Sequence, residues 1–162
     1  MSASLSELCQ FLDRCLEPDR FQDYCPNGLQ VQGRGTVERL ATGVTASQRL
    51  LDEAIAWGAD AILVHHGYFW KGEDPVVVGM KRRRLASLLA NDVSLLAYHL
   101  PLDAHPTLGN NARLGELLGL DDFEPLQAGD QGVGNIASLE QPLRAGELVA
   151  RLAEITGREP LH

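Results

Sequence analysis

Cysteine is scarce in this 162-residue chain, and the three that occur, Cys9, Cys15 and Cys25, are an odd number with no C-x-x-C spacing. That excludes a disulfide framework and a zinc knuckle, and leaves Cys9 and Cys15 as expected packing residues. Long apolar runs are also missing. Charge or glycine interrupts them every few residues, so nothing approaches the roughly 20 apolar residues of a membrane span. The N-terminal segment carries Glu7 and Asp13 within its periodic pattern, unlike the basic-then-apolar layout of a secretion signal. The expectation is a soluble, cytoplasmic protein with no membrane partner. Positive charge is in deficit as well: 14 Lys and Arg against 22 Asp and Glu give a net charge of −8. This argues against a nucleic-acid surface spread over the whole domain and leaves room only for a local basic patch. No internal repeat or low-complexity segment is present.

What remains reads as α/β. Ser4-Leu5-Ser6-Glu7 has capping-box spacing, and Leu5, Leu8, Leu12 and Leu16 then share one helical face, predicting a first helix to about Leu16. A turn-rich stretch through Pro18 and Pro26-Asn27-Gly28 leads to a short strand at Leu29-Gln30-Val31. Strands are then expected over 40–44, 61–64 and 93–98, alternating with helices over 47–57 and 79–90. That alternation predicts βαβ units and a mostly parallel sheet flanked by helices. Gly58 and Asn91 stand at expected helix C-caps, and Asn110 is the expected N-cap of a helix over 111–118 that Gly119 ends. Past Asp122 the chain turns glycine-rich over 129–134. A strand over 136–139 and a helix bearing Leu148, Val149, Leu152 and Ile155 follow. The length suits one domain with a core, so the expected division is a metal-binding α/β domain over 1–124 and the opening of a second α/β domain over 125–162.

The chemistry gathers at two strand ends. His65 and His66 close the apolar run Ala61-Ile62-Leu63-Val64, and His99, Asp103 and His105 follow the next strand. In a parallel sheet with right-handed crossovers these ends lie side by side, which is where ligand sites collect. Four of the five histidines fall in these two segments. Imidazoles with one carboxylate suit zinc, manganese, iron or nickel, and a carboxylate can bridge two such ions. A single imidazole of this kind is more often a hydrogen-bonded surface group; the clustering is what favours metal ligation. Gly67 is expected to let the following loop turn away without crowding the site. His105 reads as a loop or supporting residue, and the terminal His162 carries no argument.

The strings Val64-His65-His66-Gly67-Tyr68-Phe69-Trp70-Lys71-Gly72, Tyr98-His99-Leu100-Pro101-Leu102-Asp103-Ala104-His105 and Pro26-Asn27-Gly28-Leu29-Gln30-Val31 resemble the dinuclear-metal family of GTP cyclohydrolase 1 type 2 homologues. The likeness extends over essentially the whole chain. It implies two interlocked α/β domains, a toroidal homohexamer, and two divalent ions per subunit facing an internal cavity. By match, His65, His66 and Asp103 take ligand roles and His99 stands at or beside the metals as the catalytic candidate. The family also carries a late H-x-x-x-E pair whose glutamate bridges both ions, in a segment past residue 162. The resemblance therefore implies a shortened member whose site lacks that pair.

The family name points to a metal-dependent hydrolase acting on GTP: activated water attacks C8 of the purine, His99 moves a proton, and formate is released. Two other readings compete. One is a non-enzymatic metal-binding assembly or regulatory protein, and the other a general phosphoesterase. Lys81-Arg82-Arg83-Arg84 and Lys71 are candidates for phosphate contacts with a nucleotide, although the basic run also reads as a solvated helix face. Tyr68 and Trp70 are candidates for stacking a purine, with plain packing the expected role.

Overall fold

The computed structural model describes residues 2–120, 122–126 and 132–161. The chain divides into two compact units, Met1–Leu102 and Asp103–His162. In the first, β1 (Ala3–Ser4) leads directly into α1 (Leu5–Leu16). Ser4 Oγ accepts from Glu7 N at 3.1 Å while Glu7 Oε2 accepts from Ser4 N at 2.9 Å, so two orphan amides of the first turn are satisfied reciprocally. A 3-10 turn over Pro18–Arg20 precedes β2 (Gly28–Val31), β3 (Thr36–Val37) and β4 (Leu40–Thr45). Helix α2 (Gln48–Trp57) is capped by Ser47 and ended by Gly58 at φ 82°, a left-handed position that glycine takes without strain. β5 (Ala61–His66), α3 (Gly79–Ala90), β6 (Ser94–Ala97) and the one-turn α4 (Leu100–Asp103) follow.

The four-stranded sheet has the order β2-β6-β5-β4. β4, β5 and β6 are parallel, and β2 adds an antiparallel edge beside β6. The strand read at Leu29–Val31 is therefore that antiparallel edge. Side chains alternate across the sheet as a two-residue period demands. Ile62, Val64, Leu95 and Ala97 pack in one cluster with Leu51 and Ala54 of α2 and Leu88 of α3. Ala61, Leu96 and Tyr98 pack in the other with Leu5, Leu12 and Leu16 of α1. Helices thus cover both faces, which is why the central strands read as continuous apolar runs.

β5 runs two residues beyond the expected Val64. Its ladder continues to Thr45↔His66, and Ala46 N donates to His66 O at 2.9 Å, so both histidines are strand residues rather than loop residues. This fixes their backbones.

The second unit contains α5 (Asn110–Leu117), an antiparallel pair β7 (Glu124–Leu126) and β8 (Gly134–Ile136), and α6 (Ala145–Thr156). Helix α5 begins one residue earlier than expected, with Gly109 as N-cap; Asn110 instead donates its Nδ2 to Asp103 Oδ1 at 2.8 Å. The strand expected over 136–139 begins two residues earlier, at Gly134, and ends at Ile136. Of the glycine-rich stretch, residues 129–131 lie outside those described, as does His162. No helix among the described residues is long and apolar enough to cross a membrane.

Candidate metal centre

Three imidazoles converge at the C-terminal edge of the sheet. His65 and His66 end β5 and His99 follows β6; the ring centroids stand 4.4 Å apart for His65–His66, 5.0 Å for His65–His99 and 5.6 Å for His66–His99. One nitrogen of each lies within 4.8 Å of one nitrogen of the others. The parallel register causes this: Val64 pairs with Ala97, so His65 and His66, the last residues of β5, come level with the segment that carries His99 just past the end of β6.

Each Nδ1 has an oxygen partner. That of His65 meets the Tyr98 carbonyl at 3.1 Å, that of His66 meets Thr45 Oγ1 at 3.2 Å, and that of His99 meets Asp23 Oδ1 at 2.7 Å. A carbonyl and a carboxylate only accept, so His65 and His99 carry their proton on Nδ1 and present the Nε2 lone pair. Outer oxygen partners of this kind fix ring orientation and tautomer in metal-ligating histidines. The donor set therefore fits a divalent ion of the zinc, manganese, iron or nickel type.

Asp23 is a residue that the sequence pattern does not single out. Its carboxylate accepts from His99 Nδ1, from Asn27 Nδ2 at 3.0 Å, from Leu100 N at 2.8 Å and from Tyr24 N at 2.6 Å. Burial pushes its acidity toward the neutral form, but these donors outweigh burial and hold the carboxyl below its ordinary range. Asn27 adds a second hold on the same segment, its Oδ1 accepting from His99 N at 2.7 Å. Asp23, Cys25 and His99 also come within ligand spacing of one another. That second trio is poorly suited to an ion: the Asp23 oxygens already meet four donors. Burial, with the Asp23 charge behind it, pushes the Cys25 thiol up to about 11, so it stays protonated. Asp23 is a positioning residue for His99.

The loop after β5 is fixed at several points. A Cβ on Gly67 would overlap Gln30 Oε1 and sit 2.6 Å from Ala97 Cβ, so glycine is required there by close packing against β2 and β6. This corrects the expectation that Gly67 serves to keep space beside the site. Gln30 Oε1 accepts from Tyr68 N at 2.7 Å while its Nε2 donates to Tyr68 O at 3.1 Å. Tyr68 itself is buried and donates its hydroxyl to Ala46 O at 2.8 Å, so it packs, as expected. Trp70 stands nearer the imidazoles, its ring 5.1 Å from His99 and 6.1 Å from His66.

The other expected residues are placed as follows. Asp103 ends α4 and opens the second unit, where its carboxylate accepts from Asn110. His105 Nδ1 accepts from Leu108 N at 3.0 Å, closing a turn of its own loop. The basic run splits: Arg82 and Arg83 are exposed, whereas Lys81 pairs with Glu73 at 3.5 Å and Arg84 lies over the Tyr68 ring. Only half of it is a solvated face. Cys9 and Cys25 are free thiols.

A family model described as Duf34/NIF3 (NGG1p interacting factor 3) matches residues 3–162. A Pseudomonas aeruginosa protein named GTP cyclohydrolase 1 type 2 homolog is 54% identical over 162 residues, covering 99% of this chain and 64% of that one. Among solved structures, protein ybgI, described as of unknown function, superposes with a TM-score of 0.89 at 51% identity, covering 98% of this chain and 63% of that one. The Thermus thermophilus protein TTHA1606 superposes with a TM-score of 0.84 at 38% identity, covering 98% and 64%. The chain thus spans less than two thirds of the length of these relatives. With a match over nearly its full length, the chain belongs to the Duf34/NIF3 family.

Proposed function

We propose that His65, His66 and His99 are imidazole ligands of a divalent-metal centre, with Asp103 as its carboxylate, and that this centre serves hydrolysis of GTP. The observation that carries the reading is the convergence of three imidazoles whose Nδ1 atoms are all held by oxygen, so that their Nε2 atoms are the natural ligand atoms. The reaction is taken from the name of the Pseudomonas aeruginosa relative, GTP cyclohydrolase 1 type 2 homolog.

A bound divalent ion supplies Lewis acidity and brings the pKa of water toward neutrality. The protein's own contribution is placement. β5 and the start of α4 hold the imidazoles on rigid backbone, and Asp23 and Asn27 lock the His99 segment. In the proposed reaction two waters are consumed: one opens the imidazole ring at C8, and a second cleaves the resulting formamide to formate and an amine. The His99–Asp23 contact at 2.7 Å also favours a second role, in which His99 carries a proton while Asp23 stabilises the imidazolium.

Metal content and formate release test the reading together. The purified protein, dialysed against manganese or zinc, should bind metal through these histidines and release formate from GTP. Loss of metal in His65→Ala and in His99→Ala makes both residues ligands; retention of metal in His99→Ala with loss of formate release assigns His99 to proton transfer. Metal binding unchanged in His65→Ala would sink the centre itself. A loaded protein that releases no formate would remove the GTP reaction.

A further inference from the structure

One peptide group, between Tyr98 and His99, serves two of the three imidazoles. Its carbonyl accepts from His65 Nδ1 at 3.1 Å, and its N–H donates to Asn27 Oδ1 at 2.7 Å. The His99 side chain stands on the Cα that follows. A peptide group is planar, so a rotation that moves its N–H moves the acceptor of His65 as well. Whatever fixes this plane therefore fixes how His65 and His99 face each other.

The Tyr98 side chain anchors that plane from the N-terminal side. Tyr98 is 1% exposed and packs with Leu5, Leu12 and Leu16 of α1, while Tyr98 N donates to Val64 O at 3.1 Å. Its hydroxyl donates to Asp13 Oδ1 at 2.6 Å, across 85 residues of sequence. That is the spacing of a charge-assisted bond to a carboxylate, whereas any neutral acceptor would satisfy a buried phenol. Asp13 is an exposed residue of α1, so it contributes this bond rather than core packing.

We propose that Asp13 is a positioning residue for the metal centre: through the Tyr98 hydroxyl it holds the peptide group that orients His65 and carries His99. This rests on reading the imidazole cluster as a metal site. Asp23 grips the His99 ring itself, whereas Asp13 acts on two imidazoles through the backbone.

Two readouts test it. Ring-nitrogen NMR of metal-free protein in chelator, at a pH above the imidazole range, reads the His65 tautomer, and cobalt(II) absorption reads ligation. In the parent, His65 should carry its proton on Nδ1. Asp13→Ala and Tyr98→Phe should each let the other tautomer appear and weaken cobalt(II) binding about 10-fold, the low end for loss of an outer partner. Asp13→Asn keeps an oxygen acceptor and should recover most of both. If Asp13→Ala does not fold, Tyr98→Phe decides, since it keeps the ring in the core. A parental His65 tautomer in the folded variants would overturn the proposal whatever their urea midpoints, as would cobalt(II) affinity within twofold of a parent that binds the ion. A shifted tautomer in variants of a protein that binds no cobalt(II) defeats the metal reading and leaves Asp13 positioning His65.

Discussion

Asp23 separates holding a ligand from being one. Its carboxylate is the outer partner of His99 Nδ1, and it also ties down Leu100 N. Asp23→Asn removes the charge that favours a proton on Nδ1 and turns one oxygen into a donor, so His99 loses its fixed tautomer while the fold keeps its core. Metal affinity, read by chelator competition, should fall about 10- to 100-fold, less than in His65→Ala. An unchanged affinity would remove Asp23 from the site. At this scale the sequence was informative about histidines and silent about their support. His65, His66 and His99 stand out because they follow apolar runs; Asp23 sits in irregular turn-rich chain, 76 residues from the imidazole it orients. The only nearby signal was the motif Pro26-Asn27-Gly28, whose Asn27 indeed bonds the same segment.

The elements that position the site are β5 and the loop clamped by Gln30. Gly67→Ala must push apart Gln30, Ala97 and the loop backbone, since the added methyl overlaps Gln30 Oε1. Overpacking of this kind costs about 1–3 kcal/mol, which urea denaturation should show. Gln30→Ala instead leaves Tyr68 N and Tyr68 O without their partner, and should cost a similar amount while leaving Gly67→Ala milder in the double variant than the sum of the two. Strict additivity would mean that the two residues do not share one clamp. Elements with local signals were legible: the reciprocal Ser4–Glu7 cap and the Ser47-to-Gly58 span of α2 follow from residue types alone. The end of β5 was not, because its last pair, Thr45↔His66, is set by a strand 21 residues away. Helix α4 escaped for another reason: with four residues, Leu100–Asp103, it is too short to show any period.

Across the whole molecule, the response to acid sets a local effect against a global one. The net charge of −8 falls in magnitude as carboxylates protonate, which relieves general repulsion. At ordinary ionic strength that term is screened over about 10 Å, so it is shallow. Asp60 acts locally. It is a buried carboxylate just before β5 that accepts from Glu38 N at 2.9 Å, Arg39 N at 3.0 Å and Arg34 Nη1 at 3.0 Å. Burial opposes its ionisation, but the two amides and the guanidinium prevail and hold its carboxyl below the ordinary 3.8. A carboxyl with a depressed folded-state pKa contributes stability that is present above its unfolded value and lost as pH falls through the folded one. Urea stability should therefore change little from about pH 7 to 5 and drop below about pH 4. Asp60→Asn should be destabilised by about 1–3 kcal/mol at pH 7, since its amide nitrogen replaces one of the two oxygens and cannot accept from the donors that oxygen held, either the Arg34 guanidinium or the amides of Glu38 and Arg39. It should also lose less on acidification, so that the two curves converge as pH falls below the ordinary carboxylate range. Parallel curves would show that the acid response lies elsewhere, and would leave Asp60 as a hydrogen-bond acceptor whose charge does not matter.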